Sequence, residues 1–137
     1  MASELRVDTL KDSSGNNSVA MSTVSNGTPK GFAYWNQETP AIVDSMNASS
    51  ITDSAQGVGG INWSSAMSDA SYMCTTGAPT VSSTTPYVVA TLDDHIYGYV
   101  TKTATFWPFN TTYSHATAGA SHYDARGSIC AAMGDLA

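Results

Sequence analysis

Apolar residues in this chain recur at every second position within short runs, and clusters of Gly, Asn, Asp, Ser and Pro separate the runs. A period of two places successive side chains on opposite faces of an extended strand. Between Ser3 and Val24, the apolar sets Leu5, Val7, Leu10 and Val19, Met21, Val24 flank a polar stretch from Asp12 to Asn17. That pattern predicts two strands joined by a reversal. The same pattern predicts further strands at about Gly31 to Asn36, Ala41 to Asp44, Ala48 to Thr52, Val58 to Ser64, Ser71 to Thr75 and Tyr87 to Thr91. Three more follow at about Ile96 to Thr101, Thr105 to Phe109 and Ser128 to Met133. Ile61 and Trp63 alternate with Asn62 and Ser64, and Ala33 and Trp35 with Phe32 and Tyr34, so one face packs while the other meets solvent or a neighbouring chain. Helix signals are sparse, and strands every 8 to 12 residues or so predict an all-β chain folded as an antiparallel β-sandwich or jelly-roll-like domain.

Residues Ser25 to Lys30 contain Asn-Gly and a proline and read as a hinge. They divide the chain into an N-terminal β-arm, residues 1–28, and a sandwich domain, residues 29–137. The arm's apolar positions Leu5, Val7, Leu10, Val19 and Met21 have no partner within a two-stranded unit. The arm is therefore expected to serve assembly, on another copy of the chain or on a neighbouring protein. No collagen, heptad or longer repeat supplies a shaft.

Composition narrows the function. The 137 residues suffice for one domain with a real core. Ser and Thr are abundant, and charged residues make up only 12%. The net charge of −6 and pI near 4.6 predict no nucleic-acid binding, because no Lys/Arg cluster is present to displace counterions from phosphates. No apolar run is long enough for membrane insertion, and the first residues lack a basic segment before an apolar one, so a soluble chain without a signal peptide is expected. Asn-x-Ser/Thr triplets begin at Asn16, Asn26, Asn47, Asn62 and Asn110; without a secretory signal they follow from composition. Two cysteines, Cys74 and Cys130, are too few for a disulfide scaffold and lie in apolar runs, where they read as small buried hydrophobes.

Four segments carry a resemblance: DTLKDSSGNNS (Asp8 to Ser18), IVDSMNASSITD (Ile42 to Asp53), AMSDASY (Ala66 to Tyr72) and the closing GDLA (Gly134 to Ala137). They resemble the tail-fibre and fibre-like virion proteins of bacteriophages, particularly of marine phages. The resemblance implies a virion structural protein of the tail-fibre or receptor-binding class that mediates host adsorption as a homotrimer. It further implies other phage tail or capsid proteins as partners, a host surface glycan as a target, and assembly in the reducing cytoplasm of a bacterium, where both cysteines stay free. Two other readings stay open: a capsid decoration, cement or head-fibre protein, and a small polysaccharide-degrading enzyme.

Candidate chemistry is thin. Asp93, Asp94 and His95 are adjacent, but neighbours on a strand point to opposite faces, so the two carboxylates share a site only across a bulge or turn. An enzyme would need its carboxylate pair from Asp93, Asp94 and Asp124. His122 and Asp124, two apart, could join His115 around a metal, although loop histidines on a small-residue surface are the simpler reading. No nucleophile elbow, zinc-protease, P-loop or dinucleotide motif is present, so the sequence points to no catalytic residue, metal or cofactor. From Tyr87 to Tyr123, aromatic residues alternate with Asn, Thr, Ser and His, which suits a sugar ring with its apolar face and hydroxyl rim. Phe106 and Phe109 are assigned to the core. Tyr97, Tyr99, Trp107, Tyr113 and His115 are the expected receptor contacts, with Trp107 and Tyr113 placed on loops.

Overall fold

The computed structural model describes residues 6–15, 18–77, 88–93, 101–115 and 119–137; for 88–93, 113–115 and 119–120 the description is of the backbone. Two antiparallel sheets form a β-sandwich, preceded by a small hairpin and one helix. The hairpin pairs β1 (Thr9–Lys11) with β2 (Ser18–Ala20). Helix α1 (Met21–Gly27) follows directly. The first sheet has the order β4 (Ala41–Met46), β3 (Pro29–Asn36), β11 (Ser128–Met133), β7 (Met73–Gly77). The second contains β5 (Ala48–Ala55), β6 (Val58–Trp63), β8 (Val88–Asp93), β9 (Phe106–His115) and β10 (Gly119–His122).

Strand β9 organises the second sheet because it is long enough for three partners. Its first half pairs with β6 through Phe106–Asn110, and its second half with β10 through Thr112–His115. β8 pairs across both halves, from Phe109 to Ser114, and so occupies the other edge. Where β6 gives way to β10, Thr111 N–H donates to the Gly57 carbonyl (2.6 Å) and its own carbonyl accepts from Tyr123 N–H (3.0 Å).

The core lies where the inner faces meet. Ala33, Trp35, Cys130 and Ala132 of the first sheet pack against Ile61, Trp63, Trp107 and Phe109 of the second, with Met67 and Tyr72 from the connection between β6 and β7. Trp35 meets Trp107 edge-on at 6.2 Å and Phe109 at 4.9 Å between ring centroids. Each such aromatic pair contributes about 1 kcal/mol beyond the area it buries. Two of the polar ring ends are satisfied, since Trp63 Nε1 donates to the Tyr72 hydroxyl (3.1 Å), which donates to the Phe106 carbonyl (2.9 Å), whereas the buried Trp35 Nε1 finds no acceptor among the described residues. Asn47, the single residue between β4 and β5, crosses from one sheet to the other with φ of 60°. Asparagine tolerates that left-handed conformation, and its amide holds the crossing by donating to the Lys30 and Ser65 carbonyls and accepting from Ser65 N–H.

The alternation read for β3 and β6 holds, with Ala33, Trp35, Ile61 and Trp63 buried. Two expectations change. The segment predicted as a strand from Val19 to Val24 is extended only to Ala20 and helical from Met21. Met21 and Val24 stand three apart, a spacing one helical turn serves as well, and Thr28 ends the helix by bonding the Val24 carbonyl through both its N–H and its hydroxyl. The residues read as a hinge are thus largely the end of α1 and the start of β3. Conversely, Gly119–His122 has no apolar alternation yet forms β10, because the edge of β9 beyond β6 offers unpaired backbone groups. Most of the strand expected at Ile96 to Thr101 lies outside the described residues.

Candidate functional site

Of the five expected receptor contacts, Trp107 is the one whose side chain is described. Trp107 is fully buried, one of the largest side chains in the core. The loop placement is therefore corrected: Trp107 sits on β9 opposite Ile61, with its ring against Trp35 and Phe109, and no ligand can stack on it. The sequence misleads here because Pro108 suggests a break. Proline lacks only the donor, however, and in the register that bonds Trp63 N–H to the Thr105 carbonyl and Thr111 N–H to the Gly57 carbonyl, Pro108 falls at a position whose N–H does not face β6. Tyr113 and His115 are also strand residues of β9, paired with Ser121 and Gly119 of β10. Tyr97 and Tyr99 lie outside the described residues. Phe109 is in the core as expected, while Phe106 is half-buried and lays its ring over Gly60 on the outer side of the second sheet.

The acidic candidates resolve similarly. Asp93 closes β8 opposite Phe109, and Asp94 and His95 are outside the described residues. Asp124 accepts a hydrogen bond from Gly57 N–H (2.5 Å), which fastens the β5–β6 turn to the end of β10. Gly57 has φ of +68°, and a Cβ there would lie 2.4 Å from the Thr111 carbonyl oxygen, so this junction admits only glycine. His122 is half-buried beside it. Among the described residues no three His, Cys, Asp or Glu side chains gather as metal ligands would.

Neither cysteine forms a disulfide, and both face the core from adjacent strands, Cys130 opposite Thr76 and Cys74 opposite Ala132. That diagonal placement separates them by roughly 7 to 8 Å, beyond easy bridging. Burial pushes the Cys130 thiol up to about 12 from 9.0, against a smaller lowering by a backbone hydrogen bond at Ala33.

The arm presents the opposite picture. Every described residue of β1 is exposed, and α1 has no buried residue. Leu10 and Val19 stand directly opposite each other in the hairpin; Val7 and Leu10 are exposed, and Val19 and Met21 are half-buried. Leu5 lies outside the described residues. Sequence reasoning missed a second apolar surface, on the outward side of the first sheet at Tyr34, Met46, Met73 and Ile129. One signal was available: β11 reads Ile-Cys-Ala-Ala-Met, apolar on both faces. Which residues of other strands stand beside it depends on strand order, which the alternation does not encode. Among the described residues no helix is long and apolar enough to cross a membrane.

No protein-family model, no curated protein and no solved structure matches this chain.

Proposed function

We propose that this chain is a structural subunit of a bacteriophage particle, of the tail-fibre or receptor-binding class, acting as a homo-oligomer in adsorption to a host surface. The observation that carries the reading is the arm: no described residue from Val7 to Gly27 is fully buried, and Val7 and Leu10 stand in the open. Ordering such a segment costs conformational entropy that only contacts outside its own fold can offset. An arm of this kind fits a subunit that joins other copies or a neighbouring virion protein. The sequence resemblance supplies the phage setting and the trimeric stoichiometry. In this role the domain adheres rather than turns over a substrate, and weak contacts repeated on several copies gain avidity. The residues left to meet a host glycan are Tyr97, Tyr99, Tyr113 and His115.

A second reading, a capsid decoration or cement protein, is favoured by the burial of Trp107, which removes the strongest stacking candidate while leaving the arm intact. Immunogold labelling of purified particles with antibodies to this chain separates the two. Label at the tail tip supports the adsorption reading and label over the head supports decoration; particles free of label would refute both.

A further inference from the structure

The strand order of the first sheet lines up its outward residues in rows. One row runs Met46, Phe32, Ala131, Thr75 across β4, β3, β11 and β7, and the next runs Asp44, Tyr34, Ile129, Gly77. A third places Met133 beside Met73. Tyr34 is 40% exposed, Met46 43%, Ile129 49% and Met73 54%. Among the described residues, half of the large exposed apolar side chains thus stand on this one face, and Val7 and Leu10 of the arm are two of the rest. A sheet face that meets water normally alternates to polar residues, whereas here the outward positions of the central strand β11 are Ile129, Ala131 and Met133.

We propose that the outward face of β4-β3-β11-β7 is the surface on which a second copy of this chain packs. The proposal rests on the homo-oligomeric reading above and names the surface that makes the oligomer. Charge points to a second copy. Each chain carries −6, so two copies repel at most approaches. On the strands of this face the charged residues are Asp44 on β4 and Lys30 at the start of β3, one of each sign, so the sheet itself adds no repulsion, while Asp69 and Asp135 lie at its border. An apolar sheet face also complements itself, since sheets stack face to face about 10 Å apart.

The area agrees when the arm is included. Four strands about 4.8 Å apart and five residues of about 3.3 Å give a face of roughly 19 by 17 Å. That forms the dry centre of an interface but falls short of the ~800 Å² per partner that a stable complex uses. The end of the arm adjoins it: Asn26 and Gly27 of α1 line an open hollow together with Tyr72, Met73, Met133 and Gly134, with Asp69 and Asp135 on its wall.

Sedimentation velocity on full-length protein tests this with Ile129→Lys and Met73→Lys, which put a charge into the proposed contact, and Ser54→Lys, which puts the same charge on exposed β5 of the other sheet. Far-UV circular dichroism and tryptophan emission verify that each variant is folded. The proposal predicts that both face variants weaken self-association at least about a hundredfold, while Ser54→Lys leaves it unchanged. Folded face variants that keep the wild-type mass overturn it. If they do so while deletion of residues 1–28 yields monomers, the face assignment alone fails and the arm reading stands. If the wild type is monomeric up to about 100 μM, the homo-oligomeric reading fails with it.

Discussion

Gly57→Ala is the sharpest test of how the second sheet is joined. Two effects combine at this position. A side chain at φ of +68° costs about 1 kcal/mol in backbone conformation alone. The added methyl would then sit 2.4 Å from the Thr111 carbonyl oxygen and 2.6 Å from Tyr123 N, both main-chain atoms that no rotamer change can move aside. Relief requires the turn to withdraw. That loosens Thr111 N–H to the Gly57 carbonyl, Tyr123 N–H to the Thr111 carbonyl, and Gly57 N–H to the Asp124 carboxylate. Neutral hydrogen bonds contribute about 1 kcal/mol each and one to a charged acceptor about 2, so losing part of this set brings the total to about 3 to 5 kcal/mol. Urea unfolding followed by circular dichroism, at fixed protein concentration, measures it. Gly27→Ala is the control: it ends α1 with open space around it and should change stability by less than about 1 kcal/mol. A Gly57→Ala variant within 1 kcal/mol of wild type would refute the junction between β6, β9 and β10.

Trp107→Ala should destabilise the domain by about 3 to 5 kcal/mol through the cavity it leaves against Trp35 and Phe109; a folded variant of wild-type stability, seen in the same urea assay, would place the ring on the surface after all. Cys130 should resist thiol reagents at pH 8 until urea unfolds the chain, which a time course of labelling with and without denaturant checks. Its raised pKa also has a signed consequence: the folded thiol keeps its proton between about 9 and about 12 while the unfolded one loses it. The stability it contributes is therefore complete below pH 9 and is lost as pH rises toward 12. Cys130→Ala should remove that part of the alkaline decline in the unfolding midpoint, and an unchanged pH profile would contradict it.

The sandwich was legible because its signal is local. Ala33 and Trp35, and Ile61 and Trp63, alternate with polar or half-exposed neighbours, and burial of one face explains that alternation directly. What stayed hidden depends on partners distant in sequence. β10 is a strand only because β9 extends past β6, and nothing in Gly-Ala-Ser-His announces it. Trp107 looks like a loop aromatic beside Pro108 until β6 and β8 are set on either side of its strand. Of the apolar residues assigned to the arm, Met21 opens a helix rather than continuing a strand. The outward apolar face was out of reach, since Met46, Tyr34, Ile129 and Met73 come from four strands whose adjacency is set by sheet order.

The mass of the full-length chain in solution tests the central claim, that this is an assembling subunit, most directly. Sedimentation equilibrium at about 10 μM should give an integer multiple of 14.3 kDa, three by the resemblance, and deletion of residues 1–28 should shift the population toward the monomer. A full-length chain that stays at 14.3 kDa across the accessible concentration range would contradict the account.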